Sequence, residues 1–368
     1  MRIETVELVR VAMPLVVPFR TSFGVQRSRD VLLLHVTGED EGWGECTTPD
    51  APIYSSEYTE GAAAVLRDHL VPRLFAAGDV AATEVGSALA PVRGHRMAKA
   101  ALELAILDAE LRAAGRGLAA SFGAVRDRVP AGVSVGIPEG GVPELLEVVA
   151  GHLDEGYLRV KLKIEPGFDL EPVAAVRERF GESVALSVDA NTAYRLDDAP
   201  TLVQLDAFEL AYVEQPFPAD HLMDHARLAD VLATPICLDE SLSSPTATAD
   251  AVTAGACEVA NLKIGRLGGF LPAVATHDIC VERGVPAWVG GMLETGIGRA
   301  ANVALAALAG VTLPGDTSAS ARYWRVDLTE PFALVDGHLE VPAGPGVGVA
   351  PLEDVLAEVE TGREVLRA

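Results

Sequence analysis

Charged residues recur along the middle of this chain at an almost constant spacing, each at the end of an apolar run. Lys163 falls in RVKLKI (159–164), Asp189 in LSVDAN (186–191), Glu214 in AYVEQP (211–216), Asp239 in ICLDES (236–241) and Lys263 in VANLKIG (259–265). From 163 to 189, 214, 239 and 263 the steps are 26, 25, 25 and 24 residues. A period of that size, with a charge at the C-terminal end of each run, is what a chain of strand–helix units produces.

The first rung carries more information than one charge. Leu158, Val160, Leu162 and Ile164 point to one side of a strand, and Arg159, Lys161 and Lys163 to the other. Alone, that alternation describes a strand with a solvated basic face. With the acids that follow, it predicts that Lys161 and Lys163 look into a barrel mouth and the apolar residues look out toward helices.

Two strands are expected at 2–12 and 31–37, joined by a long loop from Pro14 to Asp30 that carries Phe19 and Phe23. A glycine turn, a short strand and a second long loop with Tyr54 follow. Residues 57–77 are helical in pattern. In 96–114, Met97, Ala101, Leu104, Leu107 and Leu111 form one apolar stripe. From Val129 strands and helices alternate. Eight short apolar strands, the last being GVTLPGD (310–316), indicate an α/β fold with a (β/α)8-type barrel. After Asp316 the alternation gives way to short strands and turns. The expected division is an α+β domain over 1–125, a barrel over 126–319, and a segment 320–368 that packs back on the first domain.

The chain has 368 residues, is 49% hydrophobic and carries a net charge of −24. That charge argues against nucleic acid or an anionic membrane as partner. Cys46, Cys237, Cys257 and Cys280 are scattered, with no CxxC pair, as in a reduced cytoplasmic protein. No apolar run approaches membrane-spanning length.

Three carboxylates at the ends of adjacent strands cannot all stay ionised unless a cation neutralises them. Asp189, Glu214 and Asp239 suit Mg²⁺, which takes oxygen ligands; the lack of accompanying His or Cys argues against zinc. Lysines stand on the strands to either side. The chemistry that suits this set is removal of a proton beside a carboxylate, with the enolate held by cationic groups. The base is then an amine whose pKa is lowered by its crowded cations. Two amines on opposite faces permit racemisation; one amine suffices for elimination. A set of interior salt bridges that plugs the barrel is the structural alternative.

These residues resemble the enolase superfamily in its muconate-lactonising subgroup. The resemblance rests on Lys161-Leu162-Lys163, VDAN (188–191), EQP (214–216), DES (239–241) and NLKIGRLGG (261–269), in that order and spacing. Within the subgroup the chain is most similar to the N-acylamino acid racemase and o-succinylbenzoate synthase proteins, through PFRTSFG (18–24), IYSSEY (53–58), GHRMAKAALE (94–103), GGMLETGIGRA (290–300) and LPGDTSAS (313–320). The resemblance implies a (β/α)7β barrel capped by an α+β domain. It implies Mg²⁺, or Mn²⁺ or Co²⁺ in its place, on Asp189, Glu214 and Asp239, with Lys163 and Lys263 as paired acid and base. Lys161 would hold a small-molecule carboxylate substrate, with Asn191, Ser134, Phe19, Tyr54 and Met292 around it and Arg266 and Glu240 behind. Members often form homo-oligomers. The implied activity is racemisation of N-acylamino acids, N-succinylamino acids among them, with dehydration to o-succinylbenzoate. Alternatives are a synthase alone in menaquinone biosynthesis, a muconate cycloisomerase-like enzyme, and a catalytically silent binding protein. Dipeptide epimerases carry Asp-x-Asp after the last barrel strand, where this chain has only Asp316. Arg266 is expected either to lower the pKa of Lys263 or simply to pair with a carboxylate.

Overall fold

The computed structural model describes residues 1–21 and 24–368. Its first layer is a sheet built from β1 (Ile3–Thr21), β2 (Gly24–Gly38) and β3 (Glu41–Cys46). The expected loop from Pro14 to Asp30 is instead the outer half of a long β1–β2 hairpin, with Pro14 opposite Ser28 and Phe19 opposite Gln26. The register slips between Pro14 and Phe19, so Pro18, which has no N–H to give, sits in the irregular stretch. Phe23 lies outside the described residues.

Residues 31–34 are apolar without a break because both faces of this sheet are covered. Leu32 and Leu34 join Val6 and Leu8 in the main core under the helices. Val31 and Leu33 join Val9, Val11 and Met13 against Tyr323, Trp324 and Leu328. Helix Arg96–Ala113 is buried on nearly every side rather than along one stripe, since it lies between β3 and the next layer. Gly42 and Gly44 permit that approach: a Cβ at either would collide with the carbonyl oxygens of Ala105 and Ala101.

A short β4 (Arg128–Pro130) leads into the repeating part of the chain. There β5 (Gly132–Val135), β6 (Arg159–Lys163), β7 (Ala185–Asp189), β8 (Val213–Glu214), β9 (Ile236–Leu238), β10 (Val259–Leu262) and β11 (Ala287–Val289) form one curled parallel sheet in chain order. Helices follow the strands, as right-handed crossovers require. The expected eighth strand is not a regular one. Residues 311–316 make single bridges, Val311 to Ala287 and Gly315 to Ala131, and Asp316 donates its N–H to Val289 at 2.9 Å. Pro314 interrupts any longer ladder there.

The C-terminal segment holds fewer strands than expected. Only β12 (His338–Glu340) forms in 325–349, paired with β4. Helix Glu353–Val359 and β13 (Glu360–Arg367) follow, and β13 adds to the free edge of β1.

Two buried glutamates join the layers. Glu103, on helix Arg96–Ala113, accepts the N–H of Leu271 at 2.8 Å, at the start of helix Phe270–Arg283. Glu45, on β3, accepts the N–H of Thr295 at 3.1 Å, the Thr295 hydroxyl at 2.8 Å and the N–H of Gly298 at 3.0 Å. These are orphan donors at the start of helix Gly296–Ala306. Burial first, then the charge of Glu294, pushes Glu45 up to about 8. The folded chain thus keeps a proton that the unfolded chain releases near the ordinary 4.5. The stability from this group is complete below that value and is lost as pH rises toward about 8. In thermal melts Glu45→Gln should flatten this decline, so that the variant's Tm rises relative to the wild type's with rising pH. A gap that stays constant would mean that Glu45 does not titrate in this window.

Candidate active site

The parallel registers bring the ladder together. Lys163 lies beside Asp189 across β6 and β7, and Asp189 beside Glu214 across β7 and β8. Asp239 and Lys263 are the first residues beyond β9 and β10. The chain breaks from extended geometry just past these ends: Asn191, Thr192 and Gln215 have φ of 41°, 65° and 38°. Such left-handed non-glycine residues concentrate where function over-determines the backbone.

Every residue of β6 is buried, and its basic face looks inward. Arg159 lies deepest, bonded to Asp316 at 2.8 Å and to the Pro314 carbonyl at 2.9 Å. Its guanidinium and the Lys161 ammonium lie over the Trp288 ring, 5.1 and 4.4 Å from its centre. Tyr212 stacks on the same indole. An aromatic floor thus carries two cations, an attraction that strengthens when water is excluded.

Above the floor each amine meets acids. Lys161 Nζ is 2.7 Å from Glu214, 2.8 Å from Asp316 and 3.4 Å from Asp189. Lys163 Nζ is 2.5 Å from Asp189 and 2.7 Å from Asn191 Oδ1. Lys263 Nζ is 2.8 Å from Asp239, 3.3 Å from the Tyr54 hydroxyl and 3.5 Å from Met292 Sδ. Arg266 also pairs with Asp239 and donates to the Leu242 carbonyl at 2.7 Å. It is therefore a carboxylate partner, the second of its two expected roles. Glu240 accepts from Asn191 Nδ2 at 3.3 Å, and its buried Oε2 has no hydrogen-bond partner among the described residues.

The charges pull in opposite directions. Burial disfavours the Asp189 carboxylate, but Lys163 and Lys161 outweigh it and hold its pKa low. Burial and the Asp189 charge raise Glu214, and they push Glu240 up to about 7. The expected lowering counts on a cation bound beside the amines; the protein's own groups raise Lys263 and Lys161. Burial works against the Lys263 ammonium, yet Tyr54, Glu240 and Glu214 raise it; Lys161 is raised by Asp316, Glu214 and Asp189 despite its own burial. The cause is an excess of acid facing these amines. Among the described residues no three acid, His or Cys side chains converge closely enough to grip an ion as they stand. The donor set nevertheless fits a hard divalent cation: oxygen only, from adjacent strand ends, with Glu214 raised by its like-charged neighbour and one Glu240 oxygen unpartnered.

A cavity of about 90 Å³ opens onto this cluster. Lys161, Lys163, Asp189, Asn191, Lys263, Ser134, Phe19, Tyr54 and Met292 line it. Ser134 Oγ is buried there without a partner among the described residues. Glu214, Asp239, Glu240 and Arg266 lie outside the lining. Three contributors were not singled out in the sequence. Asp316 lines the cavity and binds Arg159 and Lys161; its distance from Lys263 is about two further steps of the ladder, which is the signal that points to it. Asn261 donates to Glu214 at 2.7 Å, and Arg29 lines the cavity from β2.

A curled parallel sheet with acids and amines at one mouth, under a cap that reaches into that mouth, is the arrangement of a barrel enzyme. Comparison with known proteins supplies the family. Residues 3–123 match the mandelate racemase / muconate lactonizing enzyme N-terminal domain, and residues 144–355 match the family described as enolase C-terminal domain-like. An N-succinylamino acid racemase from Amycolatopsis sp. is 59% identical over 99% of both chains. An o-succinylbenzoate synthase from Geobacillus kaustophilus is 43% identical over 94% of this chain and 92% of its own. A solved enolase superfamily member from Listeria innocua superposes with a TM-score of 0.95 at 37% identity, covering 100% of this chain and 99% of its own. The chain belongs to the enolase superfamily, in the group named for mandelate racemase and muconate lactonizing enzyme. As in the sequence-based expectation, it is similar to N-succinylamino acid racemases and to o-succinylbenzoate synthases.

The buried Asp316 links the floor to the amines. Removing it strands Arg159 and Lys161 as buried cations short of one anion. Asp316→Ala should cost about 3–5 kcal/mol, the usual loss on breaking a buried pair, read from urea unfolding at neutral pH. A loss near zero would mean that Glu214 and Asp189 alone neutralise Lys161.

Proposed function

We propose that this enzyme removes the proton α to a substrate carboxylate, racemising N-succinylamino acids and related N-acylamino acids, and that the same site dehydrates the precursor of o-succinylbenzoate. The observation that carries this reading is the placement of Lys163 and Lys263 on β6 and just past β10, with the three carboxylate-bearing strands between them. The similarity to named racemases and synthases supports it.

Asp189, Glu214 and Asp239 would hold Mg²⁺, for which Mn²⁺ or Co²⁺ can substitute. When bound, the cation supplies positive charge for the enolate oxygens. Lys161 holds the substrate carboxylate from below, and Ser134 Oγ offers a further hydrogen bond. Lys163 takes the α-proton from one face, leaving the electron pair delocalised over the carboxylate. Lys263 returns a proton to the opposite face, which inverts the carbon. In the dehydration the same electron pair expels the β-hydroxyl, which leaves as water with the proton that Lys163 took; Lys263 then acts through its charge. Phe19, Tyr54 and Met292 form the apolar wall for the substrate's side chain, and Asn191, Glu240 and Arg266 hold the amines and acids in place.

We read the sheet as a closed (β/α)7β barrel whose eighth place is taken by 311–316, within a barrel domain of 126–319. The cap is then 1–125 with 320–368. Four free, buried cysteines suit a cytoplasmic setting, and no helix among the described residues is long and apolar enough to cross a membrane. A homo-oligomer is the expected assembly.

Lys163→Ala and Lys263→Ala should each lower racemisation of N-succinylphenylalanine by at least about 10²–10⁴-fold, the range for loss of a general acid–base. In D₂O each variant should still exchange the α-proton of a single enantiomer, and the two variants should retain opposite ones. Chelation should abolish both activities, and Mg²⁺ should restore them. Near wild-type racemisation by either variant would overturn the two-base assignment.

A further inference from the structure

The two lysines differ in what holds them. The partners of Lys163, Asp189 and Asn191, belong to the barrel. Lys263 has in addition a partner from the cap. The Tyr54 hydroxyl donates to Asp239 Oδ1 at 2.9 Å and accepts from Lys263 Nζ at 3.3 Å, and the ammonium lies 4.6 Å from the centre of the Tyr54 ring. Tyr54 thus touches both members of the Lys263–Asp239 pair.

What fixes Tyr54 lies three residues further on. Helix Arg96–Ala113 begins after His95, which has φ of 52° and supplies no side-chain cap. The orphan N–H groups of Arg96, Met97 and Ala98 donate instead to the Glu57 carboxylate, at 2.7, 3.0 and 3.4 Å. A carboxylate is the group that a helix N-terminus favours. Thr59 closes the base of the loop by donating its N–H to the Pro49 carbonyl at 3.0 Å. The loop 49–58 is therefore tied down at Glu57 and reaches the chemistry at Tyr54.

We propose that this loop serves one lysine only: Glu57 anchors it so that Tyr54 positions Lys263, which makes the Lys263 face of the reaction depend on this loop while the Lys163 face does not. The proposal rests on the two-lysine reading above. Its chemical consequence is a division between reactions. Racemisation needs proton transfer at both amines, whereas dehydration needs it at Lys163 alone. Tyr54 and Glu57 are positioning residues that weight one activity against the other.

The test measures deuterium uptake by proton NMR into each enantiomer of N-succinylphenylalanine separately. The Lys263-face enantiomer is the one still exchanged by Lys163→Ala. Glu57→Ala should slow exchange of that enantiomer by roughly 10–100-fold, as misplacing one reacting group does, with the other enantiomer little changed. Tyr54→Phe should slow the same face, and the double variant should be no slower than Glu57→Ala, since the two residues act in series. Dehydration should fall less than racemisation. Equal losses on both faces would overturn the proposal. Amide hydrogen exchange tests the anchor without any substrate: in Glu57→Ala, residues 50–58 and 96–98 should lose protection together while β6 and β10 keep theirs. Unchanged loop protection would overturn it. A folded wild type that exchanges neither enantiomer would sink the racemase reading, and amide exchange would then judge the anchor alone.

Discussion

Three acids buried side by side on neighbouring strands are the constraint around which this molecule is arranged. Asp189 and Glu214 are register partners, and Asp239 follows on the next strand. Carboxylates that close cannot all be ionised away from water without cations to match them. Lys161 and Lys163 on one flank and Lys263 and Arg266 on the other supply that charge. Asp316 and Arg159 extend the pattern downward onto Trp288. The interior of the barrel mouth is thus an alternating array of charge in which each group is held by its opposite. On the proposed function, a substrate carboxylate would compete for these same cations.

The same kind of contact, used differently, seats the cap. Glu45, Glu57 and Glu103 each turn a carboxylate into the N-terminus of a helix distant in sequence. None of the three has a lysine or arginine as its hydrogen-bond partner; their donors are backbone N–H groups and one threonine hydroxyl. Two of the helices so capped, Phe270–Arg283 and Gly296–Ala306, flank the segments that carry Lys263 and Met292. Cap and barrel therefore meet at fixed points on both flanks of the mouth, since Arg20 of the hairpin also reaches Glu165, two residues beyond Lys163.

The parts legible in the sequence are those with a local period. Strand–helix units of nearly constant length put Lys163, Asp189, Glu214, Asp239 and Lys263 on a countable ladder, and that ladder, joined to the alternation in 158–164, indicated which side of β6 turns inward. The parts that were not legible depend on partners far along the chain. Pro14 and Pro18 look like loop residues until Ser28 and Gln26 are seen opposite their segment. Asp316 looks like a lone acid until Arg159 and Lys161 reach it. Glu57 looks like an ordinary surface acid because its three donors lie 39–41 residues away.

One feature of the cap bears on how the chain assembles. Strand β1 is paired on one side by β2, its neighbour in sequence, and on the other by β13, from the last residues described, with Ala368 bonded to Glu4 at 3.0 Å. All seven strands of the curled sheet lie between these two partners in the chain. On a ribosome the barrel segments emerge while the outer edge of β1 still lacks its mate, and an unpaired edge is an invitation to other chains. The charged surface of this edge, with Arg10 facing Asp30 and Glu60, is suited to that interval. Completion of the cap then waits on β13, after every strand of the curled sheet has been made.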